Sequence, residues 1–206
     1  MKLRIIAGEL KGRVVTLAGR LGDLRPTAER QRESVAQIVA GRIDGARVAD
    51  VCAGTGVFGF EMLSRGAREA HFVEVDRGRA RAIEQAAEQL GVAGKVRVWA
   101  EDVRRFMGRV PGQYDIVYYD PPYDDDALAQ VAPELVRLLT GDGVLLWEHS
   151  RRRQLPPGDL ARCIDTRTYG MTVVDFLAAV RAPDAGATDG CQKGEGHACR
   201  ALSGDL

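Results

Sequence analysis

The chain has 206 residues, of which 45% are hydrophobic, and its 29 basic and 29 acidic side chains leave no net charge. This length favours a single domain of ordinary size. No apolar run is long enough to span a membrane, no segment near the N-terminus resembles a signal peptide, and four scattered cysteines are too few for a disulfide framework. We therefore expect a cytoplasmic protein that is not inserted in a membrane.

The N-terminal segment is basic and predicts a β-hairpin followed by a helix. In LRIIAGELKGRVVTL, two short apolar runs flank a loop that contains two glycines, as in a hairpin. Pro26 and Thr27 can open a helix in RPTAERQRESVAQIVAGRI. Residues 1–48 hold ten basic and five acidic side chains, so this segment is either a phosphate-binding surface or a solvated face without a partner.

Strands and helices then alternate along the chain. Strands are predicted in ARVADVCA, EAHFVEVD, KVRVWAED, YDIVYYD and GVLLWEHS. Pro133 lies inside a helical stretch, so we expect a kink there, or two short helices with Pro133 in the first turn of the second. A last pair of strands around Gly170 should add an antiparallel edge. The pattern predicts an α/β fold with a doubly wound, mostly parallel sheet.

The chain divides into three predicted regions. Residues 1–20 form a hairpin extension, residues 21–182 form the main domain, and residues 183–206 read as a disordered tail rich in Gly, Ala, Asp and Ser. Three potential metal ligands of the tail, Cys191, His197 and Cys199, match no common zinc spacing. We expect no metal site.

A glycine-rich loop follows the first strand of the main domain. Gly54, Gly56 and Gly59 form a G-x-G-x-x-G pattern that opens a helix, and Glu74 follows about 20 residues later at the end of the next strand. An acid in that place can accept hydrogen bonds from both hydroxyls of a ribose. The pattern fits any nucleoside-containing cofactor, including NAD, and a glycine turn used only for packing is the alternative.

The third and fourth strands of this domain each end in an acid. Asp102 can accept a hydrogen bond from an adenine amino group, or it can cap the helix that follows. The fourth strand ends in Asp120, Pro121, Pro122 and Tyr123, and the prolines predict a stiff extended elbow. Its acid and first proline carbonyl could grip the exocyclic amine of an extruded base while the tyrosine ring stacks on it. A turn that merely ends a strand is the alternative.

These motifs, in the order DVCAGTG, FVEVD, AED and YDIVYYDPPY, resemble class I S-adenosylmethionine-dependent amino-methyltransferases. Three further stretches, RIIAGELKGR, RPTAERQRES and GFEMLSRGA, resemble one family among them, the bacterial 16S ribosomal RNA guanine-N2 methyltransferases of the RsmD type. The resemblance runs from about Leu3 to about Leu177. It implies a seven-stranded sheet with an antiparallel last strand and methylation of one guanine in 16S rRNA, either naked or in the assembling small ribosomal subunit.

The resemblance also implies roles for individual residues. Catalysis would fall to the elbow, and S-adenosyl-L-methionine would be bound by Asp50, Ala53, Gly54, Gly56, Glu74 and Asp102. RNA phosphates would be held by the basic N-terminal segment, through Arg4, Lys11, Arg13, Arg25 and Arg30. We expect a monomer.

Three rival functions are compatible with parts of the sequence. A DNA amino-methyltransferase acting on adenine N6 or cytosine N4 could use the same elbow, although little of the chain is left for a target-reading region. An NAD-dependent oxidoreductase would leave the elbow unexplained. A non-catalytic RNA-binding or cofactor-binding protein of the same fold would not need two acceptors at this place.

Overall fold

A seven-stranded sheet forms the centre of the protein. The computed structural model describes residues 2–16, 26–109, 113–156 and 158–180. The strands of this sheet are β3 (Arg47–Val51), β4 (Glu69–Val73), β5 (Val96–Trp99), β6 (Tyr114–Tyr119), β7 (Leu139–Ser150), β8 (Ala161–Tyr169) and β9 (Thr172–Ala179). Their order is β5-β4-β3-β6-β7-β9-β8, with the first five parallel and β9 antiparallel to both of its neighbours.

Helices cover both faces of this sheet. They are α1 (Pro26–Ile38), α2 (Val57–Ser64), α3 (Arg77–Leu90), α4 (Val103–Met107) and α5 (Asp126–Ala129), with short 3-10 helices at Ala40–Arg42, Ala93–Lys95 and Ala132–Leu138. One buried cluster joins α1, α2 and α3 to the sheet, and a second joins α4, α5 and the third 3-10 helix to the other face. Successive strand residues such as Val48 and Ala49 enter opposite clusters, because side chains alternate across a strand. The predicted doubly wound α/β fold is confirmed.

Two local predictions are also confirmed. The stretch divides into α5 and the 3-10 helix Ala132–Leu138, and Pro133 occupies the first turn of the second, where the missing N–H costs no hydrogen bond. The closing strands pair antiparallel, although the antiparallel strand β9 lies between β7 and β8, so β8 forms the edge. Strand β7 begins at Leu139, earlier than the apolar run at Gly143 suggests, and its pairing with β6 is irregular between Tyr114 and Ile116.

The N-terminal hairpin docks onto α2. Strands β1 (Lys2–Arg4) and β2 (Val14–Thr16) pair in a separate antiparallel sheet, as predicted. The fully buried carboxylate of Glu61 accepts hydrogen bonds from the backbone N–H groups of Ile6 (2.9 Å) and Ala7 (3.1 Å). Ser64 completes the junction, because its hydroxyl accepts from the N–H of Leu10 at 2.9 Å. The hairpin is therefore held by specific polar contacts as well as by its apolar residues.

Some predicted features fall outside the described residues. These are the tail at 183–206, the end of the hairpin extension at 17–20, and Arg25. Within the residues that the structure does describe, no helix has the length and apolar character needed to cross a membrane, and no three His, Cys, Asp or Glu side chains come together as a metal site.

Two glycines of the hairpin loop provide a matched test of this docking. Gly8 and Gly12 both have φ of +81°, so alanine at either position adopts a strained backbone. A Cβ on Gly8 would lie 1.8 Å from the carbonyl oxygen of Ser64, whereas a Cβ on Gly12 would meet nothing within 4 Å. We expect Gly12→Ala to lower the free energy of unfolding by about 1 kcal/mol and Gly8→Ala by at least about 2 kcal/mol more. Urea unfolding of both variants measures the difference, and equal losses would contradict the docking.

Candidate active site

A cleft opens where the carboxyl ends of the parallel strands meet, as expected for ligand sites of open α/β sheets. It consists of a large cavity of about 490 Å³ and a small cavity of about 240 Å³. Both cavities are lined by Cys52, Gly54, Asp120 and Glu148, so they adjoin at these residues. Predicted residues that line only the large cavity are Glu74, Asp102, Pro121, Pro122 and Tyr123, and those that line only the small one are Asp50 and Ala53.

The glycine loop turns sharply at the end of β3. Cys52, Gly54 and Gly56 have φ values of +60°, +56° and +71°, in the left-handed region that glycine tolerates best. Gly54 faces both cavities, whereas Gly56 lines neither and caps α2, where an added Cβ would come within 3.0 Å of the Phe72 ring. Of the predicted glycines, Gly54 can therefore touch a ligand, and Gly56 shapes the turn through packing.

Two buried carboxylates hold this loop in place. Glu74 accepts hydrogen bonds from the N–H of Gly54 at 2.8 Å and of Asp76 at 2.9 Å, and it still lines the large cavity. Asp50 accepts from the N–H of Gly59 at 2.9 Å, and burial raises the pKa of Asp50 to about 7. Both acids position the backbone of the loop, and each carboxylate has lone pairs left for a ligand.

Asp102 caps a helix. Its side chain accepts a hydrogen bond from the N–H of Arg104 at 2.9 Å at the start of α4, and it is 48% exposed. The N-cap alternative is therefore confirmed. Because Asp102 also lines the large cavity, a contact with an adenine amino group stays a prediction.

The elbow after β6 presents two acceptors that the protein does not use. Among the described residues, none donates a hydrogen bond to the Asp120 carboxylate or to the carbonyl of Pro121. Loss of hydration in the cleft, together with the charges of Glu148 and Asp50, raises the pKa of Asp120 well above its ordinary value. The elbow itself is fixed, because Arg153 donates to the Tyr123 carbonyl at 2.8 Å.

Glu148, on β7, was not identified from the sequence. Its carboxylate accepts hydrogen bonds from Gln31 Nε2 at 2.7 Å, from the Tyr118 hydroxyl, and from the Tyr123 hydroxyl at 2.9 Å. The sheet order places β7 beside β6, so Glu148 joins Asp120 at the same edge. The feature of the sequence that could have identified Glu148 is that it is the single acid in the otherwise mainly apolar strand GVLLWEHS.

Arg32, on α1, is the second residue that sequence reasoning did not single out. Its side chain lines the small cavity, and the residue is only 7% exposed. Its Nε and Nη2 atoms are buried and find no hydrogen-bond partner in the described part of the chain. Burial lowers the pKa of this guanidinium, although the nearby charges of Glu61 and Glu29 oppose that shift. A buried guanidinium with free donors suits an anionic ligand.

Comparison with known proteins identifies the family. A family model described as "Conserved hypothetical protein 95" matches residues 3–178. The chain belongs to this family. It is 31% identical over 182 residues to "Putative rRNA methyltransferase YlbH" of Bacillus subtilis, covering 84% of this chain and 96% of the relative. It is 33% identical to "Ribosomal RNA small subunit methyltransferase D" of Escherichia coli, covering 70% of each chain.

Solved structures agree with this family. "Putative methyltransferase yhhF from Escherichia coli" superposes with a TM-score of 0.75 at 26% identity, covering 87% of this chain and 98% of the other. The resemblance to the RsmD family that the sequence motifs indicated is therefore confirmed. So is the predicted seven-stranded sheet with an antiparallel last strand.

The predicted RNA-contacting residues of this family member are spread over the surface. Arg4, Lys11 and Arg30 are exposed. Arg13 donates to the carbonyl of Leu90 at 3.0 Å and so binds the C-terminal end of α3. Because α3 has 14 residues, that end lies about 20 Å from the helix start beside the cleft. The hairpin would therefore contact RNA at a distance from the reacting base.

A second basic surface lies close to the elbow. Arg151 and Arg152 are exposed in the loop after β7, next to Arg153, which binds the elbow directly. Arg79 lines the large cavity itself. These positions are nearer to the cleft than Arg13 is, although RNA contact at either surface stays a prediction.

Proposed function

We propose that this protein transfers a methyl group from S-adenosylmethionine to the exocyclic N2 amine of a guanine in 16S rRNA of the small ribosomal subunit. The family and the names of its relatives support methylation of ribosomal RNA. The choice of the guanine amine is the finer part of the proposal. The observation that carries the proposal is a pair of acceptors to which no described residue donates: the Asp120 carboxylate, which lines both cavities, and the Pro121 carbonyl, which lines the large one.

The residues around the cleft fit the parts of S-adenosylmethionine. When bound, this cofactor supplies an electrophilic methyl group on a sulfonium. Glu74 would accept hydrogen bonds from the ribose hydroxyls in the large cavity, and Asp102 would accept from the adenine amino group. Asp50, Ala53 and Gly54 would border the methionine part in the small cavity.

Arg32 is a further residue whose chemistry fits S-adenosylmethionine. The methionine part carries a carboxylate, and the small cavity is lined by Arg32, whose buried Nε and Nη2 atoms have no hydrogen-bond partner among the described residues. A carboxylate and a guanidinium pair through charge-assisted hydrogen bonds, and this pairing would offset the cost of burying Arg32. We therefore assign the methionine carboxylate to Arg32.

Asp120 and Pro121 would hold the reacting amine. The nitrogen lone pair of a nucleobase amine is delocalised into the ring, so the amine is a poor nucleophile. Accepting hydrogen bonds from both N–H groups favours the tetrahedral nitrogen that attacks the methyl carbon in line. Transfer of the methyl group from sulfur to nitrogen would place positive charge on the nitrogen beside the Asp120 carboxylate, which would stabilise that charge. The Asp120 carboxylate would also stand beside the proton that the nitrogen then releases and could accept it.

Tyr123 would stack on the extruded base. Its hydroxyl bonds to Glu148 at 2.9 Å and lies 3.0 Å from Thr172 Oγ1, which fixes the ring beside the elbow. Its exposed fraction of 37% leaves ring surface for a ligand. Stacking of a base on an aromatic ring stabilises by roughly 1–3 kcal/mol. RNA phosphates outside the cleft would meet Arg4, Lys11 and Arg30, with Arg151 and Arg152 as a nearer surface.

The proposed function predicts a specific product. Small ribosomal subunits from cells that lack this protein, incubated with the protein and S-adenosylmethionine, should gain one N2-methylguanosine per 16S rRNA. Mass spectrometry of nucleosides and of RNA fragments identifies the product and its position. Subunits from cells that contain the protein should gain none, because their site is already methylated. Formation of N6-methyladenosine or N4-methylcytosine, or methylation of DNA instead of RNA, would contradict the proposal.

Arg32→Met predicts a ligand-specific loss of affinity. S-adenosylhomocysteine carries the amino-acid carboxylate, whereas 5′-methylthioadenosine lacks it. Loss of a charge-assisted hydrogen bond costs about 1.5–3 kcal/mol, so calorimetry should show roughly 10–100-fold weaker binding of S-adenosylhomocysteine. Binding of 5′-methylthioadenosine should stay within about twofold. Arg30→Met, an exposed arginine of the same helix, is the control. Equal losses for both ligands would show that Arg32 only supports the fold.

A further inference from the structure

The elbow carries more hydrogen-bond acceptors than donors. Pro121 and Pro122 have no backbone N–H, and that of Asp120 is bound to the Val51 carbonyl at 3.3 Å, so the one remaining backbone N–H of the four elbow residues is that of Tyr123. The nearby hydroxyls of Tyr118 and Tyr123 donate to Glu148. The acceptors that line this part of the cleft are the Asp120 carboxylate, the Pro121 carbonyl and the Glu148 carboxylate.

Glu148 is held in one orientation. Its Oε2 atom accepts from both Gln31 and Tyr118, while Oε1 accepts, among the described residues, from Tyr123 alone. A carboxylate oxygen has room for two donors, so Oε1 can accept one more. Glu148 and Asp120 both line the two cavities, so this lone pair lies on a residue that borders the same part of the cleft as the Asp120 carboxylate.

Nucleobases differ in the group next to their exocyclic amine. In guanine, the N2 amine adjoins N1–H, so three hydrogens lie side by side. In adenine, the N6 amine adjoins N1, and in cytosine the N4 amine adjoins N3, and both ring nitrogens are acceptors. An acceptor placed opposite N1 therefore attracts guanine and repels the lone pair of adenine or cytosine.

We propose that Glu148 accepts the N1–H of the target guanine while Asp120 and Pro121 accept the two N2 hydrogens, so that Glu148 determines which base is methylated. This inference rests on the proposed function. It explains why Asp120 and Glu148 lie close together although no described residue forms an ion pair with either. The hydrogen bonds that these two carboxylates can still accept would come from the substrate. A site built around a substrate donor rejects an analogue that lacks it, because its own polar group is then left unpaired.

A base analogue distinguishes recognition of N1–H by Glu148 from binding of the amine by Asp120 and Pro121. 2-Aminopurine keeps the exocyclic amine at C2 but has an acceptor at N1. The substrate is a small subunit assembled from 16S rRNA that has been made by ligation of RNA fragments. One fragment carries either guanine or 2-aminopurine at the nucleotide that the wild-type protein methylates. Single-turnover rates on both substrates give the preference for guanine, which we expect to be at least about 100-fold for the wild-type protein.

Glu148→Gln should reduce this preference. Gln31 and Tyr118 both donate toward the position of Oε2, so the new amide oxygen should remain there and the amide NH₂ should take the position of Oε1. This NH₂ opposes guanine N1–H but can donate to N1 of 2-aminopurine. The rate on guanine should fall about 10–100-fold, and the preference for guanine should shrink to about tenfold or less.

Controls distinguish this role from support of the fold. Asp124→Asn, an exposed change in the same loop, should leave both rates and the preference unchanged. If Glu148→Gln lowered both rates equally, Glu148 would be only a structural residue and the inference would be wrong. If the wild-type protein methylated guanine and 2-aminopurine at equal rates, the inference that Glu148 recognises N1–H would also be wrong. Absence of guanine-N2 methylation by the wild-type protein would instead contradict the proposed function.

Discussion

The active site depends on two carboxylates, Asp120 and Glu148, that line one cleft and form no ion pair with any described residue. Asp120 directly follows β6 and Glu148 lies in the adjacent β7, and loss of hydration, followed by the charges of Glu148 and Asp50, raises the pKa of Asp120. Such an arrangement disfavours folding unless surrounding groups hold it. Glu148 has three donors, whereas the Asp120 carboxylate has none among the described residues. The protein therefore keeps one acid oriented and leaves the other available for a substrate.

The rest of the fold supports this pair. The parallel order of β3, β6 and β7 brings the glycine loop, the elbow and Glu148 to one edge of the sheet. Arg153 fixes the elbow by its bond to the Tyr123 carbonyl, and α1 supplies Gln31 to Glu148 and Arg32 to the small cavity. Because Glu61 and Ser64 hold the hairpin on α2, the N-terminal segment is part of the same body. The residues that would bind the cofactor, the target base and the RNA are thus all held on one sheet and the elements packed against it.

The sequence was sufficient to predict those features that depend on residues next to one another along the chain. The glycine loop, the acids at strand ends and the proline elbow are contiguous motifs, and alternating apolar segments predicted the fold. Glu148 and Arg32 were missed because their importance depends on which strand and helix pack beside the elbow, which local pattern does not reveal. The charge count of the N-terminal segment could not show that Arg13 binds the end of α3. Nor could the glycine pattern show that Gly56 packs against Phe72 and lines neither cavity.

The most direct measurement of the central claim compares the stability and the single-turnover rate of Asp120→Ala with those of the wild-type protein. Asp120 accepts no hydrogen bond from the described residues and lies near Glu148, so its removal should leave the free energy of unfolding unchanged or higher. Methyl transfer should slow by about 10²–10³, by analogy with the loss of one group that stabilises transition-state charge. S-adenosylhomocysteine binding should persist, and Asp120→Asn should be intermediate in rate because its amide oxygen still accepts. A near-normal rate for Asp120→Ala, or a loss of stability, would show that the elbow only ends a strand.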